Sequence, residues 1–260
     1  MLSLSSIIEE LRGILPIDAM APAEKTSIPR DEEHADYTEK NTVHVDSFLY
    51  DDDEVDRLCD DGQMSRAICN ACGSQDTTML NFISHSASLS QLQFLYNHAL
   101  GDLTGKSVLD VGSRTGAVLY AGYLFSSAKE LIGVEMNSYF ADISSKIVTQ
   151  HNMQDRISIT EGDIMKHPKI LAGADVVVLN NVFQFFHSPA AHAKFWTFLR
   201  STIVRKGTML VTVPEISGSL RSAQLDMDTA SWVEEITLDY AEYDADEESD
   251  IRAVHLYRVI

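Results

Sequence analysis

Residues 108–116 read Val-Leu-Asp-Val-Gly-Ser-Arg-Thr-Gly. An apolar run carries Asp110, meets glycines at 112 and 116, and passes at Ala117 into a helical stretch. Glycine lets a backbone approach a ligand closely, and the first turn of a helix leaves N–H groups without intrahelical partners. The stretch therefore predicts a buried strand, a tight turn and a helix, with a nucleotide-like ligand at the turn. A tight turn without any ligand is the alternative.

Moving outward, the same rhythm repeats. Ser107–Val111, Leu131–Glu135, Ile157–Glu161, Asp175–Leu179 and Met209–Val213 are short runs rich in Val, Ile and Leu. Helical spacing fills the gaps, as in Phe140, Ile143, Ile147 and again in Phe195, Phe198, Leu199, Ile203. Buried strands alternating with helices predict an α/β fold: a Rossmann-like, doubly wound, mostly parallel sheet. Glu235–Tyr243 and Ile251–Ile260 break the rhythm, because the acidic link between them is too short for a crossover helix. They are expected to close the sheet as an antiparallel hairpin.

Toward the N-terminus, Leu89, Leu92, Leu95/Tyr96 and Ala99 predict a helix ending near Gly101. Phe48, Leu49, Val55 and Leu58 punctuate an acidic run at roughly helical spacing, so a short helix is expected within 46–62. Residues 16–46 are polar, contain Pro16, Pro22 and Pro29, and read as a linker or mobile arm. Met1–Leu15 alternates Leu and Ile with Ser and Glu, which reads as an amphipathic helix rather than a signal peptide. The expected organisation is an acidic, cysteine-containing N-terminal extension over 1–80 and a ligand-binding domain over 81–260, with residues 1–100 expected to supply an acidic arm and a cover over the ligand cleft.

The 260 residues carry a net charge of −19 and are 45% hydrophobic, enough for a sizeable core. Charge is uneven: residues 1–76 hold 18 acidic and 6 basic side chains, and the remaining 184 hold 21 and 14. No basic cluster is present to displace counterions from a nucleic-acid backbone, so nucleic acid is not an expected partner. No apolar run approaches the roughly 18–20 residues of a membrane span. A cytoplasmic or nuclear location follows as the expectation, with an acidic surface suited to a basic protein or peptide, or to a small molecule. Solubility alone would also account for the charge.

Two further acids sharpen the chemistry. The second strand ends in Glu135, where a carboxylate can accept both hydroxyls of a ribose. The third ends in Glu161-Gly162-Asp163-Ile164, where Asp163 can accept from an adenine amino group and Ile164 can pack on the ring. Carboxylates at the tips of consecutive parallel strands share the edge where such sheets bind ligands. NAD is the competitor, but its fingerprint wants glycines where this chain has Arg114 and Ala117.

VLDVGSRTG (108–116), GVEMN (133–137), EGDIM (161–165) and VVVLNNVF (176–183) together resemble the successive motifs of class I S-adenosylmethionine (SAM)-dependent methyltransferases, in order over about 105–213. The resemblance implies SAM as cofactor, with Asp110, Gly112, Ser113, Arg114 and Gly116 forming the loop at its methionine end. Glu135 would bind the ribose, Met136 would flank the adenine, and Asp163 and Ile164 would hold its edge and face. Arg114 replaces the commoner glycine, and a left-handed backbone there would strain it. At the fourth motif, Asn180-Asn181-Val182-Phe183 is similar to the Dot1-type protein-lysine methyltransferases. In that likeness Asn180 sits beside the transferred methyl, and Phe183, Phe185 or Phe186 wall an acceptor channel; the phenylalanines serve equally as core.

His187 and His192, just beyond the fourth strand, are candidate bases, or surface and helix-cap residues. No Ser-His-Asp grouping, His-Glu-x-x-His or P-loop supports a hydrolase or NTPase. Cys59, Cys69 and Cys72 with His85 could complete a structural zinc set, or be reduced structural thiols; no metal is assigned to the ligand site. The expected function is methyl transfer to an unidentified acceptor, a protein side chain ahead of a small molecule. The alternative is a non-catalytic partner protein that keeps the fold.

Overall fold

The computed structural model describes residues 2–28, 34–70, 76–185, 188–241, 243 and 249–260, with the side chains of 184 and 185 left aside. A seven-stranded sheet organises the chain. Its strands are β1 (Ser107–Val111), β2 (Glu130–Glu135), β3 (Ile157–Glu161), β4 (Val176–Asn180), β5 (Met209–Val213), β6 (Val233–Ile236) and β7 (His255–Val259). The order is β6-β7-β5-β4-β1-β2-β3. From β3 to β5 all neighbours run parallel, and β7 inserts antiparallel to both β5 and β6.

Strands β1, β2, β4 and β5 are largely apolar on both sides because both sides are covered, whereas the edge strands β3 and β6 expose Ser158 and Glu161, and Glu234 and Glu235. Val108, Val176, Val178 and Val211 face one buried cluster, while Leu109, Val111, Val177, Leu179 and Leu210 face the other. That alternation is the two-residue period of a strand, with helices supplying the opposite wall in each case. The first cluster takes α4 (Ala117–Phe125) and α5 (Ser138–Gln150), and the second takes α6 (Pro168–Gly173), α7 (Pro189–Thr202) and α8 (Ile216–Ser222). The expected α/β sheet with a C-terminal antiparallel pair is therefore present.

Gly122 shows how closely α4 meets its neighbours. A Cβ there would lie 2.7 Å from both Leu131 Cδ2 and the Tyr96 hydroxyl, and that hydroxyl donates to Val118 O at 2.9 Å. Gly122→Ala should therefore destabilise the protein by about 1–3 kcal/mol, the usual range for overpacking a tight core. The denaturant midpoint, compared with wild type at equal slope, checks this.

The N-terminal helices form where expected. α1 (Leu4–Ile14) starts at a Ser3–Ser6 capping box and buries Leu4, Ile7, Ile8 and Leu11. α2 (Asp52–Asp60) is capped by Asp51, buries Val55 and Leu58, and places its acids in the first turn, where they complement the helix dipole. α3 (Leu89–Phe94) continues as a π-helical turn over Leu95–Ala99. Arg12 bridges α1 to Leu49 O and Glu54.

Three expectations change. Residues 16–46, read as a linker or mobile arm, bury Ala19, Ala21, Thr42 and His44, and Thr42–His44 pairs in parallel with Asn81–Ile83. Side-chain anchors hold this stretch, and such anchors have no sequence periodicity. The strand expected over 235–243 ends at Ile236, because Tyr240 and Tyr243 leave the sheet to pack on Phe94, at ring distances of 5.5 and 5.4 Å. Residues 250–253 form a 3-10 turn, so β7 begins only at His255. Among the described residues no helix is long and apolar enough to cross a membrane.

Candidate active site

At the carboxyl ends of β1–β4 the sheet opens into a cleft of about 1030 Å³. Its floor and far wall include Gly112, Arg114, Glu135, Met136, Asp163, Ile164 and Asn180. Seven of the ten candidate residues thus converge on one cavity, though they come from four separate strand ends. Ligand clefts of this size and position are what open α/β sheets provide.

The turn after β1 explains the convergence. Gly112 has φ +73 and donates to Val134 O at 2.8 Å, so the chain bends back over β2. A Cβ on Gly112 would touch Val182, at 3.5 Å. Gly116 has φ +90, and a Cβ there would strike the Tyr120 ring at 2.7 Å. Its glycine is therefore demanded by packing beneath the loop. Gly116, Ser113 and Asp110 do not line the cleft; Ser113 and Asp110 are buried below it.

Arg114 sits at φ +42, the left-handed region where a non-glycine costs on the order of 1 kcal/mol or more. Its side chain supplies the compensation. The guanidinium pairs with Glu24 at 2.7 Å, donates to Ala19 O at 2.9 Å and lies 4.2 Å from the centre of the Phe140 ring. Asp46, fully buried, lies 3.8 Å from Nε. The residue that breaks the glycine pattern is thus a tie to the N-terminal segment.

Glu135 is fixed from both sides. Oε2 accepts from Arg114 N–H at 2.8 Å and Oε1 from Asn137 N–H at 2.7 Å. Each carboxylate oxygen keeps a further lone pair for a ligand in the cleft. Burial raises its pKa, with the two backbone donors pulling the other way. At the tip of β3, Asp163 Oδ1 accepts from Met165 N–H at 2.9 Å, capping the short turn that buries Ile164. Asn180 ends β4, and Asn181 turns away at φ +52 with its N–H on Val213 O.

Asp110 is held protonated into the neutral range. Burial, then the charge of Glu135, pushes its pKa up to about 8. The folded chain therefore binds a proton that the unfolded chain releases, and stability falls as pH rises from the usual carboxylate range to about 8. Asp110→Asn should remove that loss. Its melting temperature, relative to wild type, is expected to climb steadily between pH 5 and pH 8, and a gap independent of pH would refute this.

The near wall of the cleft comes from the segment expected to be a linker: Glu24, Lys25, Thr26, Ser27, Ile28, with Tyr37. Two buried histidines hold it. His44 Nδ1 lies 2.6 Å from Asp18 O and its Nε2 accepts from His85 N–H at 3.1 Å, so Nδ1 carries the proton. His85 Nε2 meets Ser27 O at 2.9 Å. Burial, first, and nearby cationic character bring His44 down to about 4 and His85 to about 3, so both are neutral at pH 7.

Other candidates lie elsewhere. Phe183 stacks on Trp196 at 4.6 Å and belongs to the core, while Phe195, read in the sequence only as part of a helix face, lines the cleft. His192 is buried against Phe183 and accepts from the Trp196 indole at 3.2 Å, which removes it from the cleft. Phe186 and His187 lie outside the described residues, as does the Phe185 side chain. His85 turns toward Ser27, Cys59 is partly buried and Cys69 exposed, and Cys72 lies outside the described residues. Among the described residues no group of three or more His, Cys, Asp or Glu is arranged to hold a metal.

No protein-family model and no curated protein matches the chain. Among solved structures it is similar to a putative SAM-dependent methyltransferase from Methanococcus maripaludis, at 23% identity and a TM-score of 0.39 over 47% of this chain and 53% of that one. The chain thus spans about half the length of that protein. It is also similar to an O-methyltransferase from Bacillus cereus in complex with SAH (14%, TM-score 0.48, 68% and 84% covered). An RNA methyltransferase from Salinibacter ruber in complex with S-adenosyl-L-homocysteine gives 18% and 0.41, with 65% and 88% covered.

Proposed function

We propose that this chain binds SAM in the cleft over β1–β4 and transfers its methyl group to an acceptor presented at Asn180. The observation that carries the reading is the meeting of Gly112, Glu135, Asp163 and Asn180 at one cavity, each from the tip of a different strand or the turn beyond it. The strand order, with an antiparallel β7 between β5 and β6, is the arrangement the resemblance to class I methyltransferases implies.

The residues fit such a ligand. The Glu135 carboxylate faces the cleft with acceptor capacity left for two ribose hydroxyls. Met136 and Ile164 offer apolar surface to an adenine, and Asp163, also on the lining, would accept its amino group. Gly112, at φ +73 on the cleft lining, makes the turn that a side-chain-bearing residue would strain. When bound, SAM supplies an electrophilic methyl carbon. The chain's own contribution is to align the acceptor beside Asn180 and to exclude water with the near wall. A protein side chain, basic to suit the acidic surface, is the proposed acceptor ahead of a small molecule.

A second reading, a non-catalytic partner that retains the fold, draws on one observation. His85, a histidine on the cleft lining, is too weak a base at a pKa of about 3 to accept an acceptor's proton at neutral pH. Incubating the full chain with methyl-labelled SAM and fractionated cell extract separates the readings. Label transferred to protein is the expected result; label on small molecules alone would redirect the acceptor. No transfer despite saturating SAM would support the non-catalytic reading.

A further inference from the structure

We propose that residues 18–28 form a strap across the cleft, latched by Arg114, so that cofactor exchange requires the Arg114–Glu24 tie to open. The inference rests on the cofactor reading above and adds a positioning role for Arg114 that its place in the turn does not imply.

The strap belongs to neither a helix nor a strand, yet Ala19 and Ala21 are buried. Its attachments are side chains reaching in from elsewhere: His44 to Asp18 O, Arg114 to Ala19 O and Glu24, and His85 to Ser27 O. Ala19 and Ala23 take φ +48 and +64, so two non-glycine residues accept the left-handed region to keep the strap in place. A segment held by a few polar ties over a ligand cleft, without ladder hydrogen bonds of its own, is of the kind that opens locally at modest cost.

Arg114 joins the strap to the ligand floor within one residue. Its side chain is 8% exposed, and that of Glu24 12%. Its N–H donates to Glu135 and its C=O accepts from Ser144 Oγ at 3.0 Å. Closing the strap therefore fixes the guanidinium, and the guanidinium shares its backbone with the donor that orients the ribose carboxylate. A glycine, the commoner residue here, could make the turn but could not make the latch.

The test is Glu24→Gln in the full chain, which keeps shape and removes charge, with circular dichroism to verify folding. Two measurements are made: amide hydrogen exchange of residues 18–28 without ligand, and association and dissociation rates of S-adenosylhomocysteine. Loss of a charge-assisted buried hydrogen bond should raise strap exchange, and both rates, by about tenfold. Raised exchange with both rates unchanged would overturn the strap as the exchange route. Unchanged exchange would overturn the latch itself. If wild type binds no S-adenosylhomocysteine, the exchange arm still decides the latch while the cofactor reading falls separately. A variant that fails to fold is replaced by Glu24→Asp, which keeps the charge but shortens its reach, and the same outcomes apply.

Discussion

Replacing Glu135 with alanine is expected to weaken SAM binding by at least about a hundredfold, the equivalent of losing two hydrogen bonds to a charged acceptor. The carboxylate is held in place before any ligand arrives, by the N–H groups of Arg114 and Asn137. On the proposed assignment its removal would strip the ribose of both acceptors, and it leaves those two donors without theirs. Glu135→Gln should fall between, because one amide oxygen remains while its NH₂ must face a backbone N–H that also donates. Equilibrium titration with SAM measures both variants. Wild-type affinity in Glu135→Ala would remove the ribose assignment.

Asn180 should show the opposite signature. Asn180→Ala is expected to lower kcat by about 10²–10³-fold, the range for deleting one positioned polar group at a reacting centre. SAM affinity should change by less than about threefold, since the proposed adenosine contacts come from β2 and β3, which β1 separates from β4. Turnover and cofactor affinity measured on one preparation settle the matter. A loss confined to affinity would make Asn180 a cofactor residue; unchanged turnover would remove it from the chemistry.

Four of the five parallel strands were legible because each is covered on both faces; the fifth, β3 at the sheet edge, shows only through Ile157 and Ile159. Val108 and Leu109, or Val177 and Val178, face opposite helix layers yet are equally apolar, so the run stands out without any partner being known. The tips of β2, β3 and β4 were legible for a related reason: Glu135 and Asn180 close such runs and Asp163 lies two residues past the end of β3. The end of β6 was not, because Tyr240 and Tyr243 suit a strand as well as they suit packing on Phe94.

A cover over the cleft from the N-terminal 100 residues was expected, but the residues that form the near wall escaped sequence reading. Glu24 pairs with a residue ninety positions away, and His85 with Ser27 fifty-eight away, so no local spacing announces either contact. His85 had a competing meaning as a metal ligand beside the cysteines, and Arg114 looked like a departure from a glycine pattern. Its backbone is indeed left-handed, as that pattern requires, but the side chain has a task that glycine could not perform.

The most direct test of the central claim is a crystal structure of the full chain grown with S-adenosylhomocysteine. The ribose should lie on Glu135, the adenine between Met136 and Ile164 with its amino group toward Asp163, and the sulfur facing Asn180. A ligand seated away from these strand tips, or a cleft that takes up none at saturating concentration, would contradict it.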